Sequence, residues 1–147
     1  MTNRDLIVSV MRTIGIADAA GLRTRAAGMS DTAVIAEEHK IPAWDESKDY
    51  SGWPSGAPVA YDGQVYGLLQ PHHAAHYPGS NPGNTPALWG VKHTEDPAMA
   101  KPYIAPLGTS GLYMDGECCV WGGKVWRCIN DNTAYSPGEY ADYWEEV

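Results

Sequence analysis

Phenylalanine is absent from this chain of 147 residues, although six Trp and nine Tyr are present. Every aromatic ring therefore carries a polar atom beside its apolar surface, which suits half-exposed positions. The rings also all lie after residue 43, so the first segment lacks the bulky side chains that build an independent core. We expect this segment to pack on another protein surface, and a neighbouring chain is one candidate.

Long apolar runs and an excess of basic residues are both missing. No stretch approaches the length that spans a bilayer, and Arg4, Asp5 and Arg12 interrupt the first sixteen residues. We therefore expect neither membrane insertion nor a signal peptide. The whole formal net charge of −8 lies in residues 43 to 147, which hold five Lys and Arg against thirteen Asp and Glu. Such a surface repels phosphate groups, which argues against nucleic acid and anionic membranes as partners.

Cysteine is scarce, and its three copies, Cys118, Cys119 and Cys128, lie near the end of the chain. An odd number argues against a complete disulfide framework and fits a chain made in a reducing cytosol. Cys119 and Cys128 lie diagonally on one face of a predicted hairpin, so a bridge would distort its ladder. We predict buried free thiols.

Catalytic motifs are missing as well. The sequence has no Gly-x-Ser-x-Gly elbow, no phosphate-cradling glycine loop and no His-Glu-x-x-His, so we predict a protein that is not an enzyme and needs no cofactor. We also predict no metal site. The best candidate would be His72, His73 and His76, since three imidazoles can bind zinc in a hydrolase. Pro71 and Pro78 bound that stretch, however, and a solvated loop or a contact with a neighbouring subunit is the alternative.

What the sequence does contain is one pattern that occurs twice, at a constant offset of 60 residues. It runs from Trp53 to Tyr66 and again from Tyr113 to Trp126. Its matched pairs are Gly56 with Gly116, Tyr61 with Trp121, Gly63 with Gly123, and Tyr66 with Trp126. Each copy closes on a later Trp, which is Trp89 or Trp144. Self-similarity of this kind predicts two versions of one small unit.

Each copy has a two-residue turn between two short strand patterns. Asp62-Gly63 and Gly122-Gly123 suit a type I′ turn, because that turn needs positive φ at both central residues. The resulting register places Val59 opposite Tyr66 on one face, and Ala60 and Val65 on the other. Units of this size are marginal alone, so we expect the closing Trp to fasten the loop to the hairpin.

The predicted fold class is mainly β, with an α-helical N-terminal leader and two small antiparallel β modules related by an internal repeat. The leader covers residues 1 to 42, the first module 43 to 95, a Pro-rich linker 96 to 111 and the second module 112 to 147. Pro97, Pro102 and Pro106 make the linker an extended, semi-rigid spacer.

Two helices are predicted in the leader. Thr2 or Asn3 can cap the first, whose apolar side chains recur at helical spacing from Leu6 to Ile14. Ser30 or Asp31 can cap the second, which ends near His39, before Pro42. Residues 18 to 27 between them fit either helix or coil.

The repeats resemble a known family. Their order is aromatic, Gly, Val (Cys in the second copy), aromatic, Gly, Val and aromatic, followed about twenty residues later by Trp. This order is similar to that of the small chitin-binding domains of bacterial chitinases. These domains form carbohydrate-binding module families 5 and 12, and phage virion proteins use similar units. The closing stretches Thr85-Pro-Ala-Leu-Trp89 and Cys128 to Trp144 resemble the phage versions. The resemblance covers roughly residues 44 to 147.

The resemblance implies non-catalytic sugar binding through exposed aromatic rings. Chitinase domains follow the hairpin with a Trp-Thr-x-Gly-x-x-Pro stretch that supplies a stacking Trp, whereas the matching stretches here carry Tyr77 and Tyr135. The candidate carbohydrate-binding rings are Tyr77, Tyr135, Trp126, Tyr66 and Tyr140. Core packing is the alternative for Tyr66 and Trp126, because hairpin aromatics are commonly buried. The repeated positions Gly56, Gly63, Trp89, Gly116, Gly123 and Trp144 are predicted to be structural.

The expected protein is a phage virion surface component of the decoration, head-fibre or tail-fibre type, made in the host cytoplasm. Its modules would bind glycans of the host surface. Its leader would anchor it among other virion proteins, as a homo-oligomer. The alternative is a purely structural virion or tail-assembly protein whose modules contact only other proteins.

Overall fold

A computed structural model of the chain describes Asn3 and residues 16 to 147, and it is mainly β with a short helical N-terminal segment. Residues 16 to 25 are helical (α1) and lead through a 3-10 turn at Ala26–Gly28 into α2, Asp31–Ala36. A second 3-10 turn follows at Glu38–Lys40. The stretch that fits either helix or coil in the sequence is thus mostly helical, whereas the helix predicted between Leu6 and Ile14 lies outside the described residues.

The helical segment packs on one face of the first sheet. Ser30 caps α2 as predicted, because its Oγ accepts a hydrogen bond from the backbone N of Ala33 at 3.1 Å. Val34 and Ile35 are fully buried and form a small core with Val65 of the sheet. This contact gives the aromatic-free segment the packing surface that its own composition cannot supply.

The first sheet has three antiparallel strands, β1 at Pro58–Tyr61, β2 at Gln64–Leu68 and β3 at Trp89–Lys92, in the order β1-β2-β3. Val59 pairs with Tyr66 and Ala60 with Val65, which confirms the predicted register. The turn between them has positive φ at both central residues, 47° at Asp62 and 75° at Gly63.

The second sheet has four strands, β4 at Lys101–Pro102, β5 at Cys118–Trp121, β6 at Lys124–Cys128 and β7 at Trp144–Glu146. Cys119 pairs with Trp126 and Val120 with Val125, and the φ values of Gly122 and Gly123 are 59° and 76°. β5, β6 and β7 are antiparallel neighbours.

The stretch that the sequence predicts as a spacer, residues 96 to 111, contributes β4 to this second sheet. β4 lies parallel to β5, with Lys101 opposite Cys119 and Pro102 opposite Val120. Thr94, which precedes β4 in the chain, is also tied to β5, because its backbone O accepts a hydrogen bond from the backbone N of Cys118 at 2.7 Å. The density of proline indicated an extended conformation, but long-range pairing of that extended backbone is invisible in composition.

Each sheet covers a separate aromatic core. Trp89 of the first sheet and Trp144 of the second are 2% and 4% exposed. Tyr50 stands edge-on to Trp89 with ring centroids 5.1 Å apart, and Tyr113 stands edge-on to Trp144 at 5.2 Å. Both tyrosines are almost fully buried, so a pair of rings in edge-on contact fills the centre of each core.

Cys118, Cys119 and Cys128 are buried and free, as the sequence predicts. Burial raises the pKa of the Cys119 thiol to about 12, and the neighbouring Cys118 and Cys128 add to the effect. These thiols therefore pack as small apolar side chains. Among the described residues, no helix has both the length and the apolar character needed to cross a membrane.

We expect Gly63→Ala to lower the free energy of unfolding by about 1 to 2 kcal/mol, because residue 63 adopts the left-handed conformation. A Cβ at this position meets no atom within 4 Å, so the cost is conformational rather than steric. Gly52→Ala is the matched control, since Gly52 also has open space but no positive φ. Urea denaturation of both variants measures the difference, and equal stabilities would contradict the turn assignment.

Glu117 lies half-buried where the second sheet meets the segment before β4. Burial, followed by the negative charges of Asp31, Glu95 and Asp131, raises the pKa of its carboxyl to about 7 from an ordinary 4.5. A hydrogen bond from the backbone N of Met114 at 2.7 Å acts in the opposite direction. Between pH 4.5 and 7 the folded chain thus keeps a proton that the unfolded chain has released, so stability falls as pH rises through this range.

The variant Glu117→Gln is expected to melt at a higher temperature than the natural chain at pH 8, because it removes a carboxylate that the folded state disfavours. At pH 4 the two proteins should melt alike, since Glu117 is then protonated when folded and largely so when unfolded. Circular dichroism melts at both pH values measure this. A melting difference that does not change with pH would show that the charge is not responsible.

Candidate functional site

An open groove with a volume of about 440 Å³ lies at the end of the first sheet. Three aromatic rings border it, those of Trp44, Tyr61 and Tyr77. The volume is in the range of small-molecule sites, and the mixture of rings and polar groups is typical of them. This groove is the candidate functional site.

Backbone pairing holds two of the rings in place. The N of Trp44 donates to the O of Ala60 at 2.9 Å, so the segment before Trp44 runs beside β1. Tyr61 ends β1, immediately before the turn. The two rings meet edge to face, with centroids 5.5 Å apart and planes at 84°. They form a fixed corner at one side of the groove.

The third ring comes from the loop after β2. Tyr77 follows a 3-10 turn at Ala74–His76, and its N donates to the O of Ala74 at 3.1 Å. Its ring packs edge-on against His72 at 5.7 Å and is 46% exposed. Tyr77 therefore presents a supported ring surface to the solvent, which is the exposure that the sequence predicts for this residue.

Polar side chains complete the lining, and loops with internal hydrogen bonds hold them. Glu46 and Ser47 are among the lining residues, and the Asp45 carboxylate next to them accepts hydrogen bonds from the N and Oγ of Ser47. These bonds lower the pKa of the Asp45 carboxyl, because they favour its charged form. Ser80 and Asn81 also line the groove, and the N of Asn81 donates to the Oδ1 of Asn84 at 2.8 Å.

The three histidines do not come together. His72 is buried among aromatic rings, 5.5 Å from Trp89, and one ring nitrogen lies 2.8 Å from the O of Gln70. His73 and His76 instead stack on each other at 4.7 Å. Within the described residues, no group of three or more His, Cys, Asp or Glu side chains is arranged to hold a metal ion.

Two further candidate rings are less accessible than the sequence interpretation requires. Tyr66 is 3% exposed and belongs to the core of the first sheet. Trp126 is half-buried, and its Nε1 donates to the O of Trp121 at 3.1 Å. Tyr66 is therefore a core residue, which was the alternative for both rings. Trp126 packs against the core of the second sheet but is only partly buried.

The second sheet carries its own exposed rings. Tyr135 is 51% exposed and Tyr140 is 43% exposed, with ring centroids 6.1 Å apart, and Tyr143 lies 4.3 Å from Tyr140. The loop that carries Tyr135 is fixed because its backbone O accepts a hydrogen bond from Nε1 of the buried Trp144 at 2.9 Å. Two of the candidate rings thus lie close to each other beside the second sheet.

Trp44 and Trp121 are not among the candidate rings predicted from the sequence. Trp121 is 41% exposed, and Gly138 lies so close that a Cβ there would come within 2.8 Å of the indole. The repeat could have identified Trp121, because it matches this residue with Tyr61. Both residues end the first strand of their hairpin, so alternation along the strand directs their side chains alike. Trp44 lies outside the repeated stretch, so no pattern marked it.

Comparisons with known proteins give no relative: no protein-family model matches the chain, and neither does any curated protein.

Replacing Tyr77 by Ala should leave the free energy of unfolding within about 1 kcal/mol of the natural value, because its ring is only half-buried. Tyr50→Ala should cost about 3 to 5 kcal/mol, since its ring fills the core against Trp89. Urea denaturation measures both variants. A large loss in Tyr77→Ala would mean that this ring is structural and would remove it from the candidate site.

Proposed function

We propose that this chain is a non-catalytic carbohydrate-binding protein, and that the groove bordered by Trp44, Tyr61 and Tyr77 is a sugar site. The observation that carries the proposal is the meeting of three rings around one groove, with Tyr77 half-exposed. The C–H face of a pyranose ring packs on an aromatic face, and hydroxyl groups bind nearby polar side chains. Glu46, Ser47, Ser80 and Asn81 supply such side chains here.

The proposal includes an internal repeat, with both sheets as versions of one module. The N of Trp44 donates to Ala60 and the N of Tyr103 to Val120, both at 2.9 Å. Leu68 pairs with Trp89 in one sheet, and Cys128 with Trp144 in the other. These matching contacts support a common origin for the two units.

The start of the repeat is better defined by contacts than by the constant offset. The offset aligns Trp53 with Tyr113, yet Tyr50 has the contacts that Tyr113 has. Each tyrosine packs edge-on to the closing Trp, and each Oη accepts a backbone N–H, from Asp45 or Ile104. The first module therefore has a longer segment between Tyr50 and Gly56 than the second has between Tyr113 and Gly116.

Under this proposal the second module binds sugar through Tyr135 and Tyr140, beside Trp121. The exposed rings support it, and two modules on one chain would gain affinity through multivalency. The resemblance to phage carbohydrate-binding modules further supports a virion surface protein of the decoration, head-fibre or tail-fibre type. Its N-terminal segment, docked on the first sheet through Val34 and Ile35, would anchor it or bring copies together.

A second candidate function is a structural virion or assembly protein whose modules bind other proteins. It is favoured by the large apolar side chains that the second module and the segment before it expose, since such groups are common at protein interfaces. Those between 40% and 47% exposed include Leu107, Met114, Trp121 and Ile129.

A glycan array followed by point variants tests the carbohydrate proposal. Tyr77→Ala and Tyr135→Ala should each weaken binding by about tenfold, the effect of one lost ring contact, with unchanged melting temperatures. Leu69→Ala is the control, because Leu69 is an equally exposed apolar residue outside the groove. Failure of the natural protein to bind any glycan on the array would contradict the proposal and favour the structural candidate.

A further inference from the structure

A second groove, with a volume of about 560 Å³, lies on the other side of Tyr61. It runs between the first sheet and the segment that contains β4, so both modules border it. Tyr61 and Asn81 line this groove and the first one alike. A ligand bound beside Tyr77 can therefore continue past Tyr61 into the space between the modules.

The second groove has a fixed, polar floor. Gln64 is 5% exposed, and its Nε2 donates to the O of Pro102 at 2.6 Å, which ties the two modules together at this point. Its Oε1 is buried and has no hydrogen-bond donor among the residues that the structure describes. Buried carbonyl oxygens are nearly always paired, and this one, on a residue that lines the groove, still lacks a donor.

The charges of the two grooves define the class of ligand. The charged side chains among the described lining residues are Glu46 and Asp62, both acidic, and the other polar ones are amides and hydroxyls. Carboxylated or sulfated sugars would be repelled, since like charges in a groove weaken binding. Neutral or amine-bearing sugars have the hydrogen-bonding groups that these side chains need.

We propose that the two grooves are one continuous site for an internal stretch of a linear, uncharged or amine-bearing polysaccharide, which crosses Tyr61. The inference rests on the proposed carbohydrate function and adds the length and charge class of the ligand. Neither groove is enclosed, so a chain can enter at one end and leave at the other. The second module then takes part in binding through β4 and Tyr103, in addition to its own exposed rings.

A length series of oligosaccharides tests the continuous site. Isothermal titration with cello- and chito-oligosaccharides, from disaccharide to hexasaccharide, should show affinity rising by about tenfold as the ligand grows into the second groove, the effect of one further ring contact. Oligogalacturonates of the same lengths, which are anionic, should bind much more weakly.

The variant Gly83→Leu narrows the second groove, which residue 83 lines, whereas residue 83 does not line the first. A Cβ at residue 83 would lie 3.6 Å from the Tyr66 hydroxyl and 3.7 Å from the Tyr61 ring, so a leucine side chain enters the groove. The Asn81 amide, 3.1 Å away, has to shift slightly. We expect this variant to bind disaccharides normally and to lose the gain with length. Gly52→Leu, which adds the same side chain in open space, should keep it.

Amide NMR spectra of the natural protein give an answer even if Gly83→Leu does not fold. The signals of Gly83 and Asn84 should shift with the hexasaccharide but not with the disaccharide. If short ligands bind in a way that depends on Tyr77 and longer ligands bind no more tightly, the continuous site is overturned, whereas the proposed sugar function stands. Equally strong oligogalacturonate binding would overturn the charge class, and no binding in any series would overturn both proposals.

Discussion

A buried tyrosine that stands edge-on to the closing tryptophan is the contact on which each small sheet depends. Tyr50 and Tyr113 fill this position, and each also accepts a backbone N–H from the segment that enters its module. One ring thus joins the incoming segment, the hairpin and the last strand. Sheets of three or four short strands bury little apolar area, so a side chain that makes several kinds of contact replaces a larger core.

The absence of phenylalanine follows from this use of aromatic rings. The core tyrosines Tyr50 and Tyr113 use their hydroxyls for backbone bonds, and Trp144 and Trp126 donate their indole N–H groups to backbone carbonyls. Phenylalanine could supply the ring but not the hydrogen bond. The same composition equips the surface, where Tyr77 and Tyr135 combine an apolar face with a polar edge.

The parts of the fold that sequence analysis predicted are governed by local chemistry. Asp62-Gly63 specifies the turn and the strand register because positive φ is restricted to few residue types, and Ser30 caps α2 because its side chain reaches the backbone three residues on. Tyr77 was predicted to be exposed since it lies in a loop beside proline.

The parts that were not predicted depend on pairing between distant segments. Trp44 reaches the groove because its backbone pairs with Ala60, and β4 joins the second sheet because Lys101 pairs with Cys119. Neither partner is specified by a neighbouring residue. The contiguity of the two grooves, which share Tyr61 and Asn81, likewise follows from three-dimensional packing and has no counterpart in spacing or composition.

The three unbridged cysteines have a consequence for the conditions that the folded chain can tolerate. The thiolate is the form that attacks disulfides and oxidants, and burial keeps Cys118 and Cys119 in the thiol form by raising the pKa of each. Cys128 is fully covered. A protein built in this way would keep the same covalent structure under reducing and under oxidising conditions.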